Sequence, residues 1–156
     1  MEKKKVINWL CLSGVLSIIF YLLHDIVGAM NYPGYNLMSQ AVSDLTATDS
    51  LSFIVASGFV TVYKILSCLC SALLCILIKN EKKRSLKLSV YLFSIMNFIS
   101  AIGYALFPLS SSGFDGIIHV YVLTAVVVLL SIISLIIIAV GSLKGENKHK
   151  LLGNLQ

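Results

Sequence analysis

The sequence predicts an all-α protein: a polytopic transmembrane four-helix bundle with a short amphipathic helix in its first outer loop. Three observations carry that expectation. Of 156 residues, 58% are hydrophobic and 12% charged, against roughly 45–50% and about 25% in soluble domains, and the mean hydropathy is +0.92. The apolar residues gather in four continuous runs. Each has the length of about 20 residues that a helix rising about 1.5 Å per residue needs to cross a hydrocarbon core about 30 Å thick. The runs also lack the alternation of β-barrel strands. Two prolines and four cysteines leave no disulfide scaffold or disordered tail to consider. The formal charge of +5 falls in short clusters between the apolar runs, so the expected partner is the lipid bilayer and not a nucleic acid.

The first span covers residues 6–29. Lys3, Lys4 and Lys5 precede it in the manner of a signal peptide, but a signal core is about 7–15 residues long. This run continues through Phe20, Tyr21 and Leu22 to His24 and Asp25, so it is expected to be retained. In the loop that follows, Pro33-Gly34 makes a turn. Beyond it Leu37, Ala41 and Leu45 recur every four residues, and Ser39 with Ser43 and Gln40 with Asp44 form i, i+4 pairs. That is the pattern of the short amphipathic helix, its apolar stripe lying along the interface.

Asp49 or Ser50 is expected to cap the second span, residues 53–78, which carries Lys64 near its middle. Lys79, Lys82, Lys83, Arg84 and Lys87 separate it from the third span, residues 88–109, which Pro108 ends. The fourth span covers residues 117–143, with Asp115 as its candidate cap, and residues 145–156 form a polar tail after a single membrane domain, residues 1–144. Lysine and arginine occur only before span one, in the 79–87 loop, after span four and at Lys64. The positive-inside rule then makes both termini cytoplasmic in a multi-pass protein of the cell membrane. The aspartates, by contrast, fall at or near the outer side.

Those outer polar residues are the candidate site. His24 and His119 are expected at similar depth, and Asp115 and His119, four apart, share a helix face. His24, Asp44, Asp115 and His119 could hold a zinc ion with an open position for water, lowering the pKa of that water to about 7 for hydrolysis of a lipid ester or amide. Ser39 or Ser43 would position the substrate or act as a nucleophile with histidine as base. Tyr35, Asn36, Asp25 and Lys64 are candidate binding residues, and Asp25 is the nearest candidate partner for the intramembrane Lys64. Cys11, Cys68, Cys70 and Cys75 all lie within spans, where they read as small packing residues. Ser67, Ser71, Ser94, Ser100 and Asn97 read as interhelical hydrogen-bonding groups. Three functions fit: a membrane protein binding a lipid or small ligand in an outward-facing polar site, a metal-assisted membrane hydrolase, and a small transporter.

His24-Asp-Ile-Val-Gly28, Tyr32-Pro-Gly-Tyr-Asn36, Ser39-Gln40, Ser43-Asp-Leu-Thr-Ala47, Phe107-Pro108 and His119 together resemble the bacterial and archaeal membrane proteins of domain-of-unknown-function family 998. The likeness covers most of residues 7–143, and its most specific part is the Gly-Tyr-Asn to Ser-Asp-Leu-Thr-Ala block. The resemblance implies a polytopic helical fold and no particular activity. Members of that family usually have six spans and a Glu-Arg pair before the last helix. This chain is therefore expected to be a short four-span member that completes its bundle by self-association as a homo-oligomer, or a truncated product.

Overall fold

The computed structural model describes the backbone of residues 3–109 and 114–153 and, of those, the side chains of all but residues 114, 115 and 142–153. Its long elements are α1 (Lys3–Met30), α2 (Phe53–Ile78), α3 (Arg84–Leu106), a short α4 (Phe114–Ile117), a π-helical segment (Ile118–Leu123) and α5 (Thr124–Gly153). Among the described residues there is no strand. Four stretches are long and apolar enough to cross a membrane: Lys3–Met30, Phe53–Ile78, Arg84–Leu106 and Ile118–Gly141. Helix is the form they take because hydrocarbon offers no partner to backbone N–H and C=O groups, which a helix satisfies internally. The backbone of α5 stays helical to Gly153, so residues 145–153 of the expected tail prolong the last helix.

The helices pack in chain order. α1 lies against α2, α2 against α3, and α3 against α5; among the described residues α1 approaches neither α3 nor α5. The bundle is therefore open along one side. Its contacts are made by small residues, with Ser13, Ser17, Ala56, Ser71, Ser89, Ser94 and Ser134 buried while Ile18, Ile54 and Leu129 stay exposed. Lipid tails are as apolar as leucine, so close approach at small residues takes the place of a hydrophobic core. Several buried hydroxyls turn back to their own helix, Ser17 Oγ donating to the Gly14 carbonyl at 2.8 Å and Ser89 Oγ to that of Leu86 at 2.9 Å. Between α2 and α3, Ser67 Oγ donates to Asn97 Oδ1 at 2.7 Å and Ser94 Oγ to the Ser71 carbonyl at 3.3 Å, as the sequence suggested.

The first loop differs from its expectation. Pro33-Gly34 does form a turn, with Gly34 at φ +83°, a conformation that glycine adopts without a Cβ penalty. The amphipathic helix, however, shrinks to one 3-10 turn, Val42–Thr46. Local side chains have captured the backbone groups that a longer helix would use. Asn36 Oδ1 accepts the Met38 N–H at 2.9 Å, Gln40 Oε1 the Asn36 N–H at 2.7 Å, and Asp44 Oδ2 the Ala41 N–H at 3.1 Å. Leu37 and Met38 are left exposed, and of the intended stripe only Leu45 is wholly buried, close against Gly28.

The cap of α2 differs too. Ser52 occupies the N-cap without a side-chain capping bond. Its hydroxyl donates instead to the Leu45 carbonyl at 2.8 Å and lies 2.8 Å from Ser50 Oγ, which fastens the 3-10 turn to the start of α2. The Thr48 N–H donates to the Leu109 carbonyl at 2.9 Å. Both polar connections, after α1 and after α3, thus meet at one end of the molecule. At the opposite end Glu81 Oε1 accepts the N–H groups of Lys82 at 2.9 Å and Lys83 at 3.1 Å.

Candidate functional site

Beneath the 3-10 turn lies a cavity of about 950 Å³. α2 forms its floor through Ser57, Thr61, Lys64 and Cys68, and α1 contributes Tyr21 and His24. α3 contributes Ser100 and Tyr104, the fourth span His119 and Thr124, and the 3-10 turn Val42, Ser43 and Thr46 as a lid. The cavity opens sideways past apolar residues of α2 and α3. Ile65, Ile102 and Leu106 line it and are also exposed on the outside of the molecule, where lipid would surround the chain.

His24 is buried in the cavity wall. Its Nδ1 lies 2.8 Å from Asp25 Oδ1. With Nδ1 as the donor to that carboxyl oxygen, the buried Nε2 has no hydrogen-bond partner. Leaving such an atom unpaired costs about 1–3 kcal/mol. His119 is held differently. Its Nδ1 donates to the Phe107 carbonyl at 2.8 Å, and its ring stacks on Tyr104 at 4.6 Å between centroids. The π segment sets this position: the N–H of Thr124 and its Oγ1, at 2.9 Å, both donate to the His119 carbonyl.

Lys64 follows Phe53 by eleven residues, about 16 Å along the helix. Its side chain climbs back toward the loop end, placing Nζ 5.8 Å from the centre of the Tyr104 ring. Tyr104 is two residues from the end of α3. The ammonium therefore sits at the level of the aromatic and imidazole groups, as long cationic side chains do near helix ends. Among the described residues it forms no ion pair. The expected partner, Asp25, is bonded to its own neighbour His24, and the surviving interaction of the ammonium is with an aromatic face.

Of the residues singled out by sequence, His24, His119, Lys64 and Ser43 line the cavity. Asp25 stands behind His24. Tyr35 donates to the Ala41 carbonyl at 3.2 Å; Asn36 and Ser39 lie in the loop before the 3-10 turn and Asp44 within it, all outside the cavity lining. Partial burial, then the Asp44 and Asp25 charges, push the Tyr35 phenol above its ordinary pKa. Asp115 lies outside the described side chains. Among the described residues no three His, Cys, Asp or Glu side chains come together closely enough to hold a metal ion. Of the expected zinc ligands, Asp44 turns Oδ2 to the Ala41 N–H at 3.1 Å and does not line the cavity that His24 and His119 share. Sequence reasoning did not pick out Tyr21, Tyr63, Tyr104, Thr46, Thr61 or Thr124. A signal for part of this wall was present in α2, where Ser57, Thr61, Lys64 and Cys68 follow one another at spacings of three and four, the spacing of one helix face.

A family model described as a protein of unknown function, DUF998, matches residues 15–153, and the chain belongs to that family. No curated protein and no solved structure matches it.

Proposed function

We propose that this DUF998 protein binds a membrane amphiphile, a lipid or lipid-like molecule, in the cavity under the 3-10 lid. The observation that carries the reading is the cavity's composition and mouth together. A polar level of Lys64, His24, His119 and Tyr104 lies close to the loop end, and apolar Ile65, Ile102 and Leu106 border a sideways opening. A head group would occupy the polar level while its chain leaves past Ile65, Ile102 and Leu106. The volume of about 950 Å³ is at the upper end of the range of about 300–1,000 Å³ usual for small-molecule sites. With the basic clusters cytoplasmic, the lid faces outward in the cell membrane. The test is native mass spectrometry of protein extracted from its membrane in mild detergent. A stoichiometric bound lipid that survives delipidating washes is expected. Protein that carries none, and whose melting temperature does not move on lipid addition, would overturn the reading.

One observation favours a second reading. An aspartate behind a histidine whose other nitrogen is unpartnered is the arrangement of a general base, and Ser43 lines the same cavity. A hydrolase of lipid esters would release free fatty acid from the bound lipid, at a rate abolished by His24→Ala. A bound lipid recovered intact after prolonged incubation counts against it.

A further inference from the structure

We infer that the amphiphile is anionic: a lipid whose head carries one net negative oxyanion, seated on the Lys64 ammonium. This rests on the cavity binding a lipid at all, and adds which one. The cavity lining contains one formal cation, Lys64, and no carboxylate among its described residues. The acids adjacent in sequence to wall residues, Asp25 beside His24 and Asp44 beside Ser43, do not line the space: Asp25 Oδ1 lies 2.8 Å from His24 Nδ1, and Asp44 Oδ2 accepts the Ala41 N–H at 3.1 Å. An ammonium in a low-dielectric site without a counter-charge is unfavourable unless something supplies that charge. The face of Tyr104 at 5.8 Å offsets it only in part. An oxyanion entering through the side opening would complete the pair.

The remaining wall restricts the head group further. Ser57 and Thr61 stand seven and three residues before Lys64 on the same face of α2, and both line the cavity. They offer hydroxyls within a turn or two of the ammonium. The imidazoles are oriented by what holds their Nδ1 atoms, Asp25 for His24 and the Phe107 carbonyl for His119; His24 Nε2 is buried within the wall, and in the neutral state the other nitrogen of His119 is an acceptor. The wall therefore has one cation for an oxyanion and neutral groups for hydroxyls. It has no described acid for the ammonium of a zwitterionic head. A phosphodiester bearing a hydroxylated alcohol fits this pattern, and a fatty carboxylate supplies the same oxyanion.

The test compares head groups on unaltered protein. The full chain is reconstituted in nanodiscs holding phosphatidylglycerol and phosphatidylcholine of identical acyl chains, and the lipid retained after detergent extraction is quantified by mass spectrometry. Phosphatidylglycerol should be enriched over its share of the bilayer by about tenfold or more, the effect of one charge-assisted hydrogen-bonded contact. Lys64→Arg should keep that preference, and Lys64→Met should abolish it while still retaining lipid. Oleate and inorganic phosphate, added as competitors, separate the sources of the oxyanion: displacement by oleate points to a carboxylate, and displacement by phosphate to the head group alone. Equal retention of the two phospholipids by the unaltered protein would overturn the inference while leaving lipid binding in place. A preference that persists in Lys64→Met would do the same. No retained lipid of any kind removes the binding reading itself, and the unaltered protein's head-group preference is informative even if Lys64→Met does not fold.

Discussion

Ser52→Ala tests whether the lid is fastened as the geometry implies. Ser52 and Leu45 are both wholly buried, and the hydroxyl donates to the Leu45 carbonyl at 2.8 Å while meeting Ser50 Oγ at 2.8 Å. Alanine fills almost the same volume, so packing is preserved and the loss is polar. A buried carbonyl deprived of its donor costs about 1–3 kcal/mol, a factor of about 5–150 in the population of the opened lid. Hydrogen exchange of peptides covering residues 42–47, followed by mass spectrometry in nanodiscs, should accelerate by a factor in that range. Peptides from the middle of α2 should be unchanged, since the bond joins only the lid to the helix start. Ser39→Ala, at an exposed turn position, is the control and should have no effect. If Ser52→Ala leaves lid exchange within twofold of the unaltered protein, the hydroxyl is not what holds the lid, and the account of the α2 start is wrong.

Gly28→Val should destabilise the protein by about 1–3 kcal/mol as an overpacking change, because a Cβ there lies 3.0 Å from Leu45 Cδ1 and 3.4 Å from Ala56 Cβ. Gly58→Val, where a Cβ meets nothing within 4 Å, supplies the comparison in thermal unfolding. Ser67→Ala combined with Asn97→Leu removes the 2.7 Å bond between α2 and α3, and a double-mutant cycle should give a coupling near 0.6 and below about 1.7 kcal/mol, the range of such bonds in membranes. The Lys83 N–H, the largest influence, holds the Glu81 carboxyl below the ordinary glutamate pKa; desolvation opposes it, and the Lys82 N–H and the charges of Lys83 and Lys87 reinforce it. A depressed folded-state pKa makes its contribution to stability complete above the ordinary glutamate value and loses it as pH falls through the lower folded value. A carbon-13 titration of Glu81 should show that lowered midpoint, and a midpoint at the ordinary value would contradict the two backbone bonds.

The spans were legible because the bilayer leaves the backbone so few alternatives: a run of about 20 apolar residues must become a helix. The lid was not legible, since the periodicity of Leu37, Ala41 and Leu45 competes with bonds from Asn36, Gln40 and Asp44 that a hydrophobic pattern does not weigh. His24, His119, Ser43 and Lys64 were chosen for chemical type near helix ends and do share one cavity. Tyr21, Tyr63, Tyr104 and Thr61 escape a sequence reading because single polar residues in a greasy helix look like interhelical hydrogen-bonding groups. That account does hold for Ser67 and Asn97, whereas Ser100 lines the cavity. Pairing Lys64 with Asp25 failed for a simple reason of reach. Asp25 finds His24 one residue away at 2.8 Å, and the flexible lysine rises to Tyr104 instead.

The π segment explains how the fourth span comes to furnish two wall residues. Successive residues of an α-helix are about 100° apart, so positions five apart differ by about 140° and point to different neighbours. Between Ile118 and Leu123 the bonding shifts to the five-residue pattern, which brings His119 and Thr124 to the same cavity. Nothing in Ile118-His-Val-Tyr-Val-Leu123 announces this, as it contains no proline or glycine. What favours it lies outside the segment. The Phe107 carbonyl accepts from His119 Nδ1 at 2.8 Å, Tyr104 stacks on that ring, and the tyrosine hydroxyl reaches Thr124 Oγ1 at 3.5 Å. α3 thus grips both residues at once, and a regular α-helix could satisfy only one grip at a time. Single-turn π insertions are frequent at functional sites. Here the residue displaced is His119, whose ring stacks on Tyr104, the same aromatic ring that the Lys64 ammonium approaches.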